Sequence, residues 1–195
     1  MTFSFPDGLA PEVYPLAWLV GRWRGPGFLG YPDIPKRPIV TEVSFDHDGG
    51  PYLAYQATSW LLDGELDTLE ERVDVDSLRE GQVWSSESGY WRVTPKPPDD
   101  ASALTEDRPA GRAPTSEVEV LLADPSGYVS VYLGRAQGPR IELATDVVAR
   151  TNMGAEISAG SRIYGLVQSE LFWAWDLAAF GHDLQSYVSG RLQRI

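Results

Sequence analysis

Apolar and polar residues alternate along most of this chain. Ile39, Thr41, Val43 and Phe45 share one face of an extended segment, with Glu42 and Ser44 opposite. Pro51 to Trp60 is aromatic and extended. Val118, Val120 and Leu122 alternate with Glu117, Glu119 and Leu121; Val129, Val131 and Leu133 follow, then Ile141, Leu143, Thr145 and Val147. Near the C-terminus, Leu171, Trp173, Trp175 and Leu177 alternate with Phe172, Ala174 and Asp176. Successive strand side chains point to opposite faces, so each run predicts a half-buried β-strand. The turn-forming clusters DHDGGP, DPSG, QGPR and NMGAE separate the runs at short intervals. Short strands joined this way predict an all-β antiparallel barrel or sandwich. No helical pattern alternates with them, which speaks against a parallel sheet. PEVYPLAWL, residues 11–19, predicts one short helix, held to a turn or two by its two prolines. Residues 95–116 are rich in Pro, Ala, Asp and Arg and lack any period, so they predict a long exposed loop within a single domain spanning 1–195.

Composition narrows the function. The net charge of −12 speaks against nucleic acid or an anionic membrane surface as partner. The absence of cysteine removes disulfides, thiolate metal sites and cysteine nucleophiles. Two histidines, His47 and His182, are too few for the usual zinc sites, and no G-x-S-x-G elbow accompanies them. Asp74-Val75-Asp76 lacks the glycine and later ligands of a calcium loop. No catalytic residue and no metal site is assigned. The N-terminus has no basic start or apolar core, and no apolar run reaches the length of a membrane span, so the expected location is the cytoplasm. Seven tryptophans must line the interior or plug an end; such an interior suits a packed core or a flat apolar ligand.

The segment GRWRGPGFLGYPDIP, Gly21 to Pro35, carries the most information. Gly25-Pro26-Gly27-Phe28-Leu29-Gly30 has the glycine spacing of a dinucleotide-binding loop. That loop must open a helix, and the three prolines of YPDIPKRP cannot continue one. In a strand, Gly25 and Gly27 instead allow a bend or a close backbone approach, and Trp23 can plug the base of a barrel.

The same segment resembles the opening of the nitrobindin family, which carries Gly-x-Trp-x-Gly-x-Gly followed by Tyr-Pro: here Gly21, Trp23, Gly25 and Gly27, then Tyr31-Pro32. TEVSFDHDGGPYLAY resembles the family's next two strands, SSESGYWRV its Glu-x-Gly-aromatic-x-Arg strand, and WDLAAFGHDLQSYVSGRLQR its closing pair. The resemblance covers most of the chain in order. It implies a ten-stranded antiparallel up-and-down β-barrel of the fatty-acid-binding-protein type. It also implies a mouth where relatives hold ferric haem b through one histidine, bind nitric oxide and isomerise peroxynitrite to nitrate.

Aligned on the family's closing hairpin, the ligand histidine falls at Tyr187. His182 lies five residues earlier in the hairpin turn, where a solvent-facing side chain is expected, and His47 matches a family turn histidine that is not the ligand. Asp33 follows Tyr-Pro where relatives often have Thr, and Tyr31 joins it at the mouth. Three readings follow. In the first, the chain lacks the haem-ligand histidine, no cofactor is expected, and the barrel holds another small apolar molecule or none. In the second, haem b binds through a Tyr187 phenolate, with the charge of Arg191 on the same strand face four residues on. In the third, the acidic surface binds a partner. The first is preferred, because losing the sole protein–iron bond removes the strongest specific contact in such a site. Nothing in the sequence fixes an oligomeric state.

Overall fold

A computed structural model describes residues 6–66, 68–69, 72–95 and 113–195. Most of the expected 95–116 loop, residues 96–112, lies outside the described residues. Ten strands follow in order: β1 (Gly21–Tyr31), β2 (Ile34–Asp46), β3 (Leu53–Leu62), β4 (Glu80–Val93), β5 (Thr115–Asp124), β6 (Tyr128–Gln137), β7 (Arg140–Arg150), β8 (Ile157–Val167), β9 (Glu170–Ala179) and β10 (Gln185–Arg194). Each pairs antiparallel with its sequence neighbours, and β1 pairs with β10, so the sheet closes into an up-and-down barrel without edges. No described helix is long and apolar enough to cross a membrane.

Alternation places one side of each strand inside. Ile39, Thr41, Val43 and Phe45 are buried on β2, as are Val118, Val120 and Leu122 on β5. On β6 the interior takes Tyr128, Ser130 and Tyr132, while Val129 and Leu133 look outward. On β7, Ile141 and Leu143 are buried but Val147 is exposed, because a register shift opposite Val131 and Tyr132 changes which residues face in.

Pro11–Leu19 closes the end from which β1 starts. It is a nine-residue 3-10 helix, longer than the turn or two expected. Pro15 inside it has no amide donor to give, and the tighter winding tolerates this over three short turns. Its Val13, Leu16 and Leu19 are fully buried and cap a core of Trp23, Phe45, Leu53 and Trp91. Trp23 Nε1 donates to Leu19 O at 2.7 Å, and the Arg194 guanidinium lies 4.2 Å over the Trp23 ring. Arg194 also donates to Trp18 O at 3.0 Å, so the last strand clamps the plug.

The glycines of the opening motif have a steric cause. A Cβ on Gly25 would lie 2.2 Å from Arg191 O, and one on Gly27 would lie 2.5 Å from Ser189 O. β1 therefore presses directly on β10, and no larger residue fits there. Outside the barrel, the β3–β4 connection is strapped to the wall: Arg24 donates to Leu78 O at 3.1 Å and Gln193 to Val73 O at 2.7 Å.

Candidate functional site

The opposite end stays open. The turns after β1, β5, β7 and β9 surround a cleft of about 480 Å³, within the range of small-molecule sites. Its walls are aromatic: Tyr31 from β1, Trp84 from β4, Tyr128 from β6, Trp175 from β9, Phe180 from the β9–β10 turn and Tyr187 from β10. Below it the barrel narrows to a space of about 30 Å³ between Thr41, Ser59, Glu87 and Trp173, enough for water but not for a ring system.

Tyr187 reaches the cleft because β10 bulges. Ser186 pairs with Asp176 and Val188 with Trp175, so Tyr187 is the extra residue between them. It lies among the cleft-lining residues, and it also shares the narrow space beneath with Val188. Its ring meets Trp175 edge-on at 5.2 Å and Tyr31 at 5.9 Å. Trp84 Nε1 donates to its hydroxyl at 2.6 Å. Burial raises the Tyr187 phenol above its ordinary value; the Trp84 hydrogen bond opposes this, and the Asp124 and Glu87 charges reinforce it.

Arg191 does not share that face. The extra residue shifts the parity of the strand, so Val188 and Leu192 are buried while Arg191 turns outward. There its Nη2 donates to Glu170 Oε2 at 2.6 Å and its Nη1 to Leu69 O at 2.9 Å. Glu170 is buried and takes the guanidinium charge, which leaves Arg191 no route to Tyr187.

Beneath the cleft, an ion pair crosses the barrel. Arg162 donates to both Glu87 oxygens, at 2.6 and 2.7 Å, and Tyr55 OH donates to Glu87 Oε1 at 2.6 Å. The Arg162 side chain is 1 % exposed, and its guanidinium lies 4.1 Å from the centre of the Trp175 ring. Burial works against the Glu87 carboxylate, but the charge and hydrogen bonds of Arg162 outweigh it and hold the carboxyl below its ordinary range. A Cβ on Gly160 would lie 2.7 Å from Trp175 Nε1, and one on Gly190 would lie 2.5 Å from Trp173 Nε1. Both indoles thus rest in glycine cradles of the wall.

The other expected residues separate. Tyr31 is a fixed wall: its hydroxyl donates to Leu177 O at 3.0 Å and accepts from Ala179 N at 3.0 Å. Asp33 stands at the rim but is 86 % exposed and does not line the cleft. His182 Nε2 lies 3.2 Å from Asp33 Oδ2, with its ring edge-on to Tyr31 at 5.6 Å. Gly21, Trp23, Gly25 and Gly27 belong to the closed end and the wall. Trp84, Asp124, Trp175 and the Arg162–Glu87 pair were not singled out in the sequence. A charge at an inward strand position, as in Gly160-Ser161-Arg162-Ile163-Tyr164, was the available signal.

Residues 12–194 match the THAP4-like, heme-binding beta-barrel domain. The chain belongs to this family, that of the nitrobindins. It is 60% identical over 210 residues to the ferric nitrobindin-like protein of Beutenbergia cavernae, covering 100% of both chains. It is 38% identical to the peroxynitrite isomerase of Leifsonia xyli subsp. xyli, covering 98% of each. The crystal structure of Rv2717c from M. tuberculosis has a TM-score of 0.69 at 27% identity, over 96% of this chain and 99% of that one.

Haem is the group this family implies. The aromatic lining of the cleft is of the kind a flat porphyrin packs against, but its donor set does not fit ferric iron. Among the described residues no histidine lines the cleft, and His182 at the rim faces Asp33. Tyrosine ligates iron as phenolate. Burial, reinforced by the Asp124 and Glu87 charges, pushes the Tyr187 phenol up against the opposing Trp84 hydrogen bond and Arg162 charge, and Arg191 is on the far side of the wall.

Proposed function

We propose that this nitrobindin-family barrel binds a flat apolar small molecule at its mouth, without a protein bond to haem iron. On this reading Tyr187 occupies the position of the family's ligand histidine, and the peroxynitrite isomerisation named for relatives is not carried over. The observation that supports it most is the environment of Tyr187: a buried phenol whose oxygen accepts from Trp84, pushed up by burial and by the Asp124 and Glu87 charges, with the Arg162 cation already paired to Glu87. Without an iron bond, what remains for a porphyrin is contact with aromatic walls, which any planar apolar molecule can make. The chemistry of haem is the cofactor's own, so a barrel that does not hold the iron has no such reaction to direct.

A visible absorption titration with ferric haem tests this on the wild type, Tyr187→Phe and Tyr187→His. The expected result is no saturable Soret shift in the first two and a one-to-one shift in the histidine variant. A saturable shift in the wild type that the phenylalanine variant abolishes would overturn the proposal and establish tyrosinate ligation.

A further inference from the structure

A carboxylate, not a cation, stands among the aromatic rings of the mouth. Of the described residues that line the cleft, Asp124 is the only one with an acidic or basic side chain other than the tyrosine phenols. It closes β5, is half-buried, and borders both the cleft and the narrow space below. Its Oδ1 accepts from Ser126 N at 2.7 Å, and its Oδ2 accepts from Tyr128 OH at 3.2 Å. A carboxylate has room for further donors beyond these two. The charge of Asp124 is felt in the cleft, since it helps raise the phenols of both Tyr128 and Tyr187.

The nearby cations are already matched. Arg162 under Trp175 is neutralised by both oxygens of Glu87. Arg150 sits 3.7 Å from Glu156, and His182 faces Asp33. The overall charge of −12 adds a long-range field of the same sign. An anionic ligand would therefore lose its water beside a carboxylate, whereas an aromatic cation would find both a counter-ion and ring faces that attract positive charge.

We propose that the mouth cleft selects a planar aromatic cation, with its ring among Tyr31, Trp84 and Tyr187 and its charge beside Asp124. This rests on the reading that the cleft binds a flat small molecule, and it adds the ligand's charge.

Isothermal titration of the full chain with three planar probes tests it at physiological ionic strength: 9-aminoacridine as cation, 9-(hydroxymethyl)anthracene as neutral ring and 9-anthracenecarboxylate as anion. The cation should bind about tenfold or more tighter than the neutral ring, and the anion weakest. Asp124→Asn keeps the acceptor for Ser126 N and should weaken the cation about tenfold without changing the neutral probe. Asp146→Asn removes the same charge from an exposed site on β7 and should leave all three unchanged. Equal affinity for all probes, preference for the anion, or equal effects of the two substitutions would overturn the charge assignment while the apolar cleft stands. No heat with any probe would overturn both.

Discussion

The two ends of the barrel use the same residue types for opposite purposes. At the closed end, Trp23 is fully buried, its indole satisfied by Leu19 O and its face covered by Arg194. At the open end, Trp84 spends its donor on another aromatic side chain, and Trp175 Nε1 has no partner among the described residues. The strands do not explain the difference, since the same ten strands form the wall at both ends. The connections do. The 3-10 helix folds across one end and supplies five buried apolar residues, while the turns at the other end stand around a space. Between them the Arg162–Glu87 pair separates packed core from cleft. An aromatic ring is a stabilising element where chain covers it and, on the proposed reading, a recognition element where chain does not.

The largest losses should fall on either side of that divide. Trp23→Ala removes the base plug and should cost about 3–5 kcal/mol in urea unfolding while leaving probe binding at the mouth intact. Loss of binding in the still-folded variant would show that the ends are not independent. Arg162→Met strands a buried carboxylate and should cost a similar 3–5 kcal/mol or so, with the double variant Arg162→Met, Glu87→Gln recovering much of it. The pair also sets an acid limit. Because the folded Glu87 carboxyl titrates below its ordinary value of 4.5, its stabilisation is complete above that pH and disappears as the pH falls through the folded value. The fall in Tm on acidification should therefore flatten in the double variant. Trp84→Phe removes one hydrogen bond to Tyr187 and should cost about 1 kcal/mol, with a clearer effect on probe affinity than on Tm. Asp33→Asn breaks an exposed contact with His182 and should change stability by less than about 0.5 kcal/mol. A larger effect would mean that the rim takes part in closing the mouth.

Antiparallel strands were legible because alternation and turn residues report local geometry, whereas strand number and barrel closure came from the resemblance to the nitrobindin family. The steric reason for Gly25 and Gly27 was legible in kind, although their partner strand was not. Tyr187 was located, but Arg191 was placed on the wrong face, because parity counting assumes a regular strand and the bulge at Tyr187 breaks it. The outward apolar residues of β6 have a different origin: alternation gives two faces but does not say which one a tyrosine-lined interior will choose. Asp124 looked like an ordinary turn residue in DPSG, and only closure of the barrel brings it beside Trp84 and Tyr187. Glu87 and Arg162 are 75 residues apart, and no local pattern joins them.

The plug at the base has a kinetic meaning. With Val13, Leu16 and Leu19 sealing one end, the mouth is the doorway among the described residues, so a guest bound as proposed would leave by the path it entered. Arrival and departure are then governed by the same few rings, and a second guest must wait for the first to go. Widening the mouth would speed both directions together and leave the equilibrium nearly unmoved, whereas altering the walls would change how long each visit lasts.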